Sequence, residues 1–157
     1  MPRIIDYLSL TILVLLLGCD TGPESPQERL EGLIAEAEAA LEARDLSRVM
    51  EFVDPAYRDE GGRDQARLRG VLAGYFLRHP SIHILAKIDR LEIRTREEAF
   101  VLVYAGVAGS PREAEAPLSQ WRGRLLRLEL DFKLDEAGEW RLRRARWRSA
   151  RREDFVS

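Results

Sequence analysis

The hydrophobic period of this chain changes once, near residue 80, and that change limits the folds open to it. Before it, Leu30, Leu33, Ile34, Ala37 and Leu41 recur at intervals of three and four and form one helical stripe. Ser25-Pro26-Gln27-Glu28 opens that helix with a serine cap, a proline at the first position and a glutamate able to reach back to the cap amide. Ala43-Arg44-Asp45 breaks the run, and Leu46, Val49, Met50 and Val53 resume it as a short second helix that Asp54-Pro55 stops. Glu60-Gly61-Gly62 reads as a loop. Asp64 caps a third helix carrying Leu68, Val71, Leu72, Tyr75 and Phe76, which His79-Pro80 ends.

From Ser81 the period falls to two. Ile82, Ile84, Ala86 and Ile88 alternate with His83, Lys87 and Asp89, and then Leu91 and Ile93 appear on the opposite parity, which predicts a bulge near Asp89. Ala99 to Val107 is apolar on both parities, so this strand is expected to be covered on both faces. Gly109 to Leu118 reads as a loop. Leu126, Leu128, Leu130, Phe132 and Leu134 alternate with Arg127, Glu129, Asp131 and Lys133, Asp135-Glu136-Ala137-Gly138 makes a hairpin turn, and a last strand runs to Trp147 with a parity change at Arg143 and Arg144. The expectation is α+β, with three N-terminal helices packed in a curved antiparallel sheet of about four strands.

Three segments carry a resemblance to a known family. Ala39-Ala40-Leu41-Glu42-Ala43-Arg44-Asp45-Leu46, Phe52-Val53-Asp54-Pro55-Ala56-Tyr57-Arg58-Asp59, and Gly138-Glu139-Trp140-Arg141-Leu142 with Ala145 and Trp147 follow one another as in nuclear transport factor 2-like proteins. The likeness spans roughly residues 27 to 148 and implies a sheet curled around helices to leave a conical cavity. The family includes ketosteroid isomerases, dehydratases and members with no catalysis, so function has to be argued from the site. Its enzymes place an Asp or His inside the cone, opposed by Tyr, Arg or a second acid, and such chemistry needs pKa values shifted by apolar walls.

Few residues meet that requirement. Tyr57, Asp59, His83 and Tyr104 are the candidate proton-transfer groups, and Tyr57, Tyr75, Tyr104, Trp121 and Trp147 are candidates to line a ligand cavity. His83 alternates against the isoleucine row and belongs outside the core, and Asp59 stands beside a glycine loop that reads as exposed. With no carboxylate placed inside, a non-catalytic binding domain for a small apolar ligand or an envelope protein is favoured over an isomerase or dehydratase. A purely structural interaction module is the third reading. No cofactor is expected. His79 and His83 are separated by Pro80 and do not make a helical metal pair, and no phosphate-cradling glycine motif or G-x-S-x-G elbow is present.

The N-terminus gives an address. Arg3 precedes an apolar core from Tyr7 to Leu17, followed by Gly18 and then Cys19, the single cysteine of the chain. A spanning helix needs about 20 apolar residues, and this run is shorter. Leu16-Leu17-Gly18-Cys19 resembles the lipobox of bacterial lipoproteins, in which the signal is cut before the cysteine and its thiol is acylated. That implies a signal peptide over 1–18, an acylated Cys19 and flexible tether over 19–25, the α+β domain over 26–150 and a C-terminal tail over 151–157. The expected partner is the bilayer on the periplasmic side. Asp20 resembles an inner-membrane retention signal, with the outer membrane as the other possibility.

The formal net charge is only −2, but it is unevenly spread. The first helix reads as acidic, with Glu24, Glu28, Glu31, Glu36, Glu38 and Glu42 against Arg29 and Arg44, and the segment from Arg141 to Arg152 is rich in arginine. Mutual neutralisation across the fold is the favoured reading. The other is an anionic surface, either phospholipid headgroups or an acidic protein; nucleic acid is not expected. The second apolar side of Ala99–Val107 could be covered by the Gly109–Leu118 loop or by a second subunit, so a homodimer through the sheet is also expected.

Overall fold

The computed structural model describes residues 24–110, 117, 120 and 123–155. Gly18, Cys19, Asp20 and Trp121 lie outside the described residues. The elements are α1 (Pro26–Glu42), α2 (Leu46–Glu51), β1 (Val53–Asp59), α3 (Gln65–Arg78), β2 (His83–Ile93), β3 (Glu98–Ala108), β4 (Arg124–Leu134), β5 (Trp140–Ser149) and a 3-10 turn (Arg152–Phe155).

The helix signals operate as the residues dictate. Ser25 Oγ accepts from the Glu28 amide while the Glu28 carboxylate accepts from the Ser25 amide at 2.7 Å, closing a capping box with Pro26 in the first turn. Asp64 caps α3 by accepting from the Arg67 amide at 2.9 Å. Both expected bulges are present, since pairing shifts between Ile88 and Arg90 on β2 and at Asp131–Phe132 opposite Arg143 on β5.

The sheet has five strands, in the order β1-β5-β4-β3-β2, rather than about four. The additional strand is β1, which lies between α2 and α3, so the helices do not form one N-terminal block. The segment was expected to be a helix end stopped by Asp54-Pro55. Instead α2 closes at Phe52, and the chain runs extended and parallel to β5, with Val53 opposite Leu142 and Asp59 opposite Ala145. β1 is an edge strand, where a proline without an amide proton is tolerated.

One face of the sheet packs on α1. Leu30 is fully buried against Ala99, Val101, Val103, Phe132 and Trp140, with Leu33, Ile34, Ile88 and Leu128 around them. The other parity of β3 is covered within the chain itself. Phe100 lies under the Arg94 guanidinium, 4.7 Å from its ring centroid, and Tyr104 meets the ring of Phe155 at 5.6 Å. Phe155 is itself buried, so the turn after β5 folds back onto the sheet.

Candidate functional site

The sequence-derived candidates do not converge on one place. Tyr57 is fully buried in a cluster with Met50, Val53 and Ala145. His83 starts edge strand β2, and its Nε2 lies 3.0 Å from Ser81 Oγ. Tyr104 is on the opposite face of the sheet from α1, paired in register with Arg127. Tyr75 stacks on His79, with ring centroids 4.1 Å apart, at the end of α3. Trp147 is 40% exposed, with the Arg63 guanidinium 5.1 Å from its ring centroid.

Asp59 corrects the expectation of an exposed loop carboxylate. It is the last residue of β1 and its side chain is wholly buried. The glycine loop after it wraps around the carboxylate: Oδ1 accepts from the Arg63 amide at 2.9 Å and Oδ2 from Arg63 Nε at 2.6 Å. Burial pushes the Asp59 carboxyl up, but the bonds from Arg63 and the Gly61 amide outweigh it and hold it below the ordinary carboxylate range. Tyr57 lies two positions earlier on the same face of β1, and its hydroxyl is buried without a hydrogen-bond partner. Burial, followed by the charge of Asp59, raises the phenol to about 12, with Arg63 acting in the opposite direction. The two groups share a dry wall, but Tyr57 is closed off by Leu46, Leu68, Leu72, Leu130 and Leu142.

A groove of about 1080 Å³ runs between α1, α2 and the β4–β5 hairpin. Leu33, Met50, Phe52, Val53 and Trp140 give it apolar surface, and seven carboxylates stand around it against three arginines. Those arginines are already engaged. Arg29 donates to the Gly138 carbonyl, Arg48 bridges Glu36 and Glu51, and Arg141 bonds Asp135 Oδ2 at 2.9 Å and the Glu51 carbonyl. Asp135 is held low mainly by the Glu139 amide and then by Arg141, so it stays an anion. Trp140 is 3% exposed, and its indole Nε1–H is buried without an acceptor. Sequence reasoning placed Trp140 on the last strand without a role and did not single out Arg63. The signal was there for Trp140, whose inner parity on β5 faces α1.

No family model matches the sequence, and no curated protein is found to match it. Solved structures do match in fold. An uncharacterised Caulobacter vibrioides protein with a cystatin-like fold superposes with a TM-score of 0.64 at 14% identity, covering 83% of this chain and 93% of that one. An NTF-2 like protein of unknown function from Shewanella oneidensis superposes at 0.60 and 13% identity, covering 78% and 98%. A Bdellovibrio bacteriovorus protein, Bd1075, superposes at 0.61 and 9% identity. It covers 78% of this chain, which spans 40% of that longer protein. The fold is therefore cystatin-like, of the NTF2-like kind.

Proposed function

We propose that this protein is an envelope lipoprotein, acylated on Cys19 after removal of residues 1–18, whose cone domain binds a ligand without transforming it. The ligand site is the groove between α1, α2 and the β4–β5 hairpin. The observation carrying this reading is the pairing of a core in which Leu30, Val101, Phe132 and Trp140 are buried together with an acid-rimmed groove beside it that carries apolar surface. Leu33, Met50 and Phe52 offer apolar surface to the ligand's hydrocarbon, and the Glu136 and Glu139 carboxylates on the rim face its positive charge. The apolar ligand expected from sequence is narrowed to one that also carries positive charge, either a small amphipathic cation or a basic segment of an envelope protein. Residence in the inner membrane accords with Asp20.

Two experiments test the two halves. Labelled palmitate should enter the wild-type chain and not the Cys19→Ser variant, which should also fail to be cut before residue 19. Equal labelling of both, or of neither, ends the lipoprotein reading. For the groove, titration with a Lys-Leu-Lys peptide should give a saturable change in tryptophan fluorescence. Glu136→Gln with Glu139→Gln should weaken it about tenfold or more, since both carboxylates stand on the rim. A non-saturable response, or one indifferent to the double variant, ends the groove assignment.

A further inference from the structure

Among the described residues no ion pair joins the acidic helix to the arginine-rich C-terminal segment. Carboxylates on α1 are engaged locally: Glu28 with Ser25, Glu36 with Arg48, and Glu42 with the Ile84 amide on edge strand β2. α1 covers the inner face of the sheet. Arg144, Arg146 and Arg148 occupy alternate positions of β5 in register with Asp131, Glu129 and Arg127, residues whose β3 partners Phe100, Leu102 and Tyr104 point away from α1. The charge separation is thus built across the sheet.

On that outer face the arrangement is self-repelling. Arg148 stands directly opposite Arg127, and Arg144 directly opposite Arg58. Like charges at opposed sheet positions destabilise, so the fold retains an unfavourable feature here. The carboxylates nearby are already committed: Glu129 pairs with Arg127 and, at 2.9 Å, with Arg146, while Asp131 pairs with Arg94 at 3.0 Å. No ion pair to Arg144 or Arg148 is present among the described residues. A basin of about 180 Å³ is lined by Arg127, Arg146 and Arg148 together with the carboxylates Glu60 and Glu129 and half-exposed Trp147.

We infer that this arginine face of β4–β5 docks on the anionic phospholipid headgroups of the membrane that anchors the chain, with Arg144 and Arg148, which make no ion pair among the described residues, meeting the phosphodiesters. The inference rests on the Cys19 anchor for proximity. Six residue steps separate Cys19 from Ser25, a reach of about 20 Å at full extension. α1 lies on the far side of the sheet from this face, and packed layers are about 10 Å apart, so a tether of that reach can pass the sheet and let its outer face lie on the surface. Clustered Arg side chains are suited to such a boundary. The same charge pattern means that a homodimer through the sheet would have to use its β2–β3 half, because two β5 arginine rows facing each other repel.

The test uses the full chain with Cys19→Ser, so that no acyl group binds. It is sedimented with vesicles of phosphatidylcholine alone and of phosphatidylcholine with about one third phosphatidylglycerol. Binding should be at least tenfold tighter to the anionic vesicles and lose most of that excess at about 0.5 M salt. Adding Arg144→Glu and Arg148→Glu should remove the excess, since each basic residue at an anionic surface is worth about fivefold. Adding Arg67→Glu and Arg69→Glu, an equal charge change on exposed α3, should leave it in place. Residues 1–18 are common to all three chains, and matched melting curves check folding. Equal binding to both vesicles, or equal loss from both double variants, overturns the inference. Capture by polyglutamate that depends on Arg144 and Arg148, without vesicle discrimination, would replace lipid with an acidic protein and also overturn it. Palmitate labelling of the wild type reads the anchor separately, so either result can fail alone.

Discussion

Tyr57→Phe is expected to raise the stability of the domain by about 1–3 kcal/mol, the cost of a buried polar atom left unsatisfied. The Tyr57 side chain is fully buried, and its hydroxyl has no hydrogen-bond partner. Phenylalanine keeps the ring contacts with Met50, Val53 and Ala145 and removes only the oxygen. Tyr57→Ala, by contrast, should lose about 3–5 kcal/mol by opening a cavity in the same cluster. Urea unfolding of the two variants separates the terms, because the ring is lost in one and only the oxygen in the other. A fall in stability for Tyr57→Phe would mean that the hydroxyl has an acceptor in solution, and the dry-wall description would fail. The phenol adds an alkaline signature. Its folded pKa is about 12, above the ordinary phenol value of 10.0. The folded state therefore holds the proton more tightly than the unfolded chain. That contribution is complete below pH about 10 and is lost as pH rises toward 12. Tyr57→Phe should abolish this part of the alkaline limb.

The helices and the four longest strands were legible because each is written in a period that burial enforces. Leu30 to Leu41 makes a stripe, and Leu126 to Leu134 alternates without a break. The bulges at Asp89 and Arg143 were legible too, since an inserted residue flips the parity of everything after it. β1 was not. It is short, lies at an edge, and contains Asp54 and Pro55, residues that on local rules end a helix. Only its pairing with β5 makes it a strand, and that pairing joins residues about 90 positions apart. The burial of Asp59 was hidden for the same reason. Glu60-Gly61-Gly62 signals a turn correctly, but the turn closes around the carboxylate, and Gly62 at φ +74° allows that closure. The groove was missed because its walls come from three separate stretches, each of which reads on its own as a solvated acidic surface.

Asp59→Ala should destabilise the domain by about 2–3 kcal/mol. Removing one member of a buried ion pair commonly costs about 3–5 kcal/mol, because the remaining charge is stranded. Arg63 is 39% exposed on its side chain and can recover hydration, which lowers the figure. What is lost outright is the carboxylate that accepts from the Arg63 amide and from Arg63 Nε, and with it the clamp on the turn from Asp59 to Arg63. The Gly61 position sharpens the geometry, since a side chain added there would meet Asp59 Oδ1 at 3.3 Å. The pH dependence follows from the direction of the shift. The folded carboxyl is held below the ordinary aspartate value of 3.8, so the unfolded chain takes up the proton first. The stability it contributes is complete above the unfolded value and disappears as pH falls through the lower folded one. Asp59→Asn keeps the shape and removes the charge. Its melting temperature should therefore sit below that of the parent near neutrality and converge with it as pH falls through the lowered folded pKa. Melting curves from pH 7 down to about 2.5 decide the matter. Parallel curves for parent and variant would show that the Asp59–Arg63 pair carries no linked proton. Trp147 provides a local report, because Arg63 lies over its ring. Its fluorescence should change at the pH where the carboxyl takes up its proton and releases the guanidinium, ahead of global unfolding, and Asp59→Asn should remove that early step.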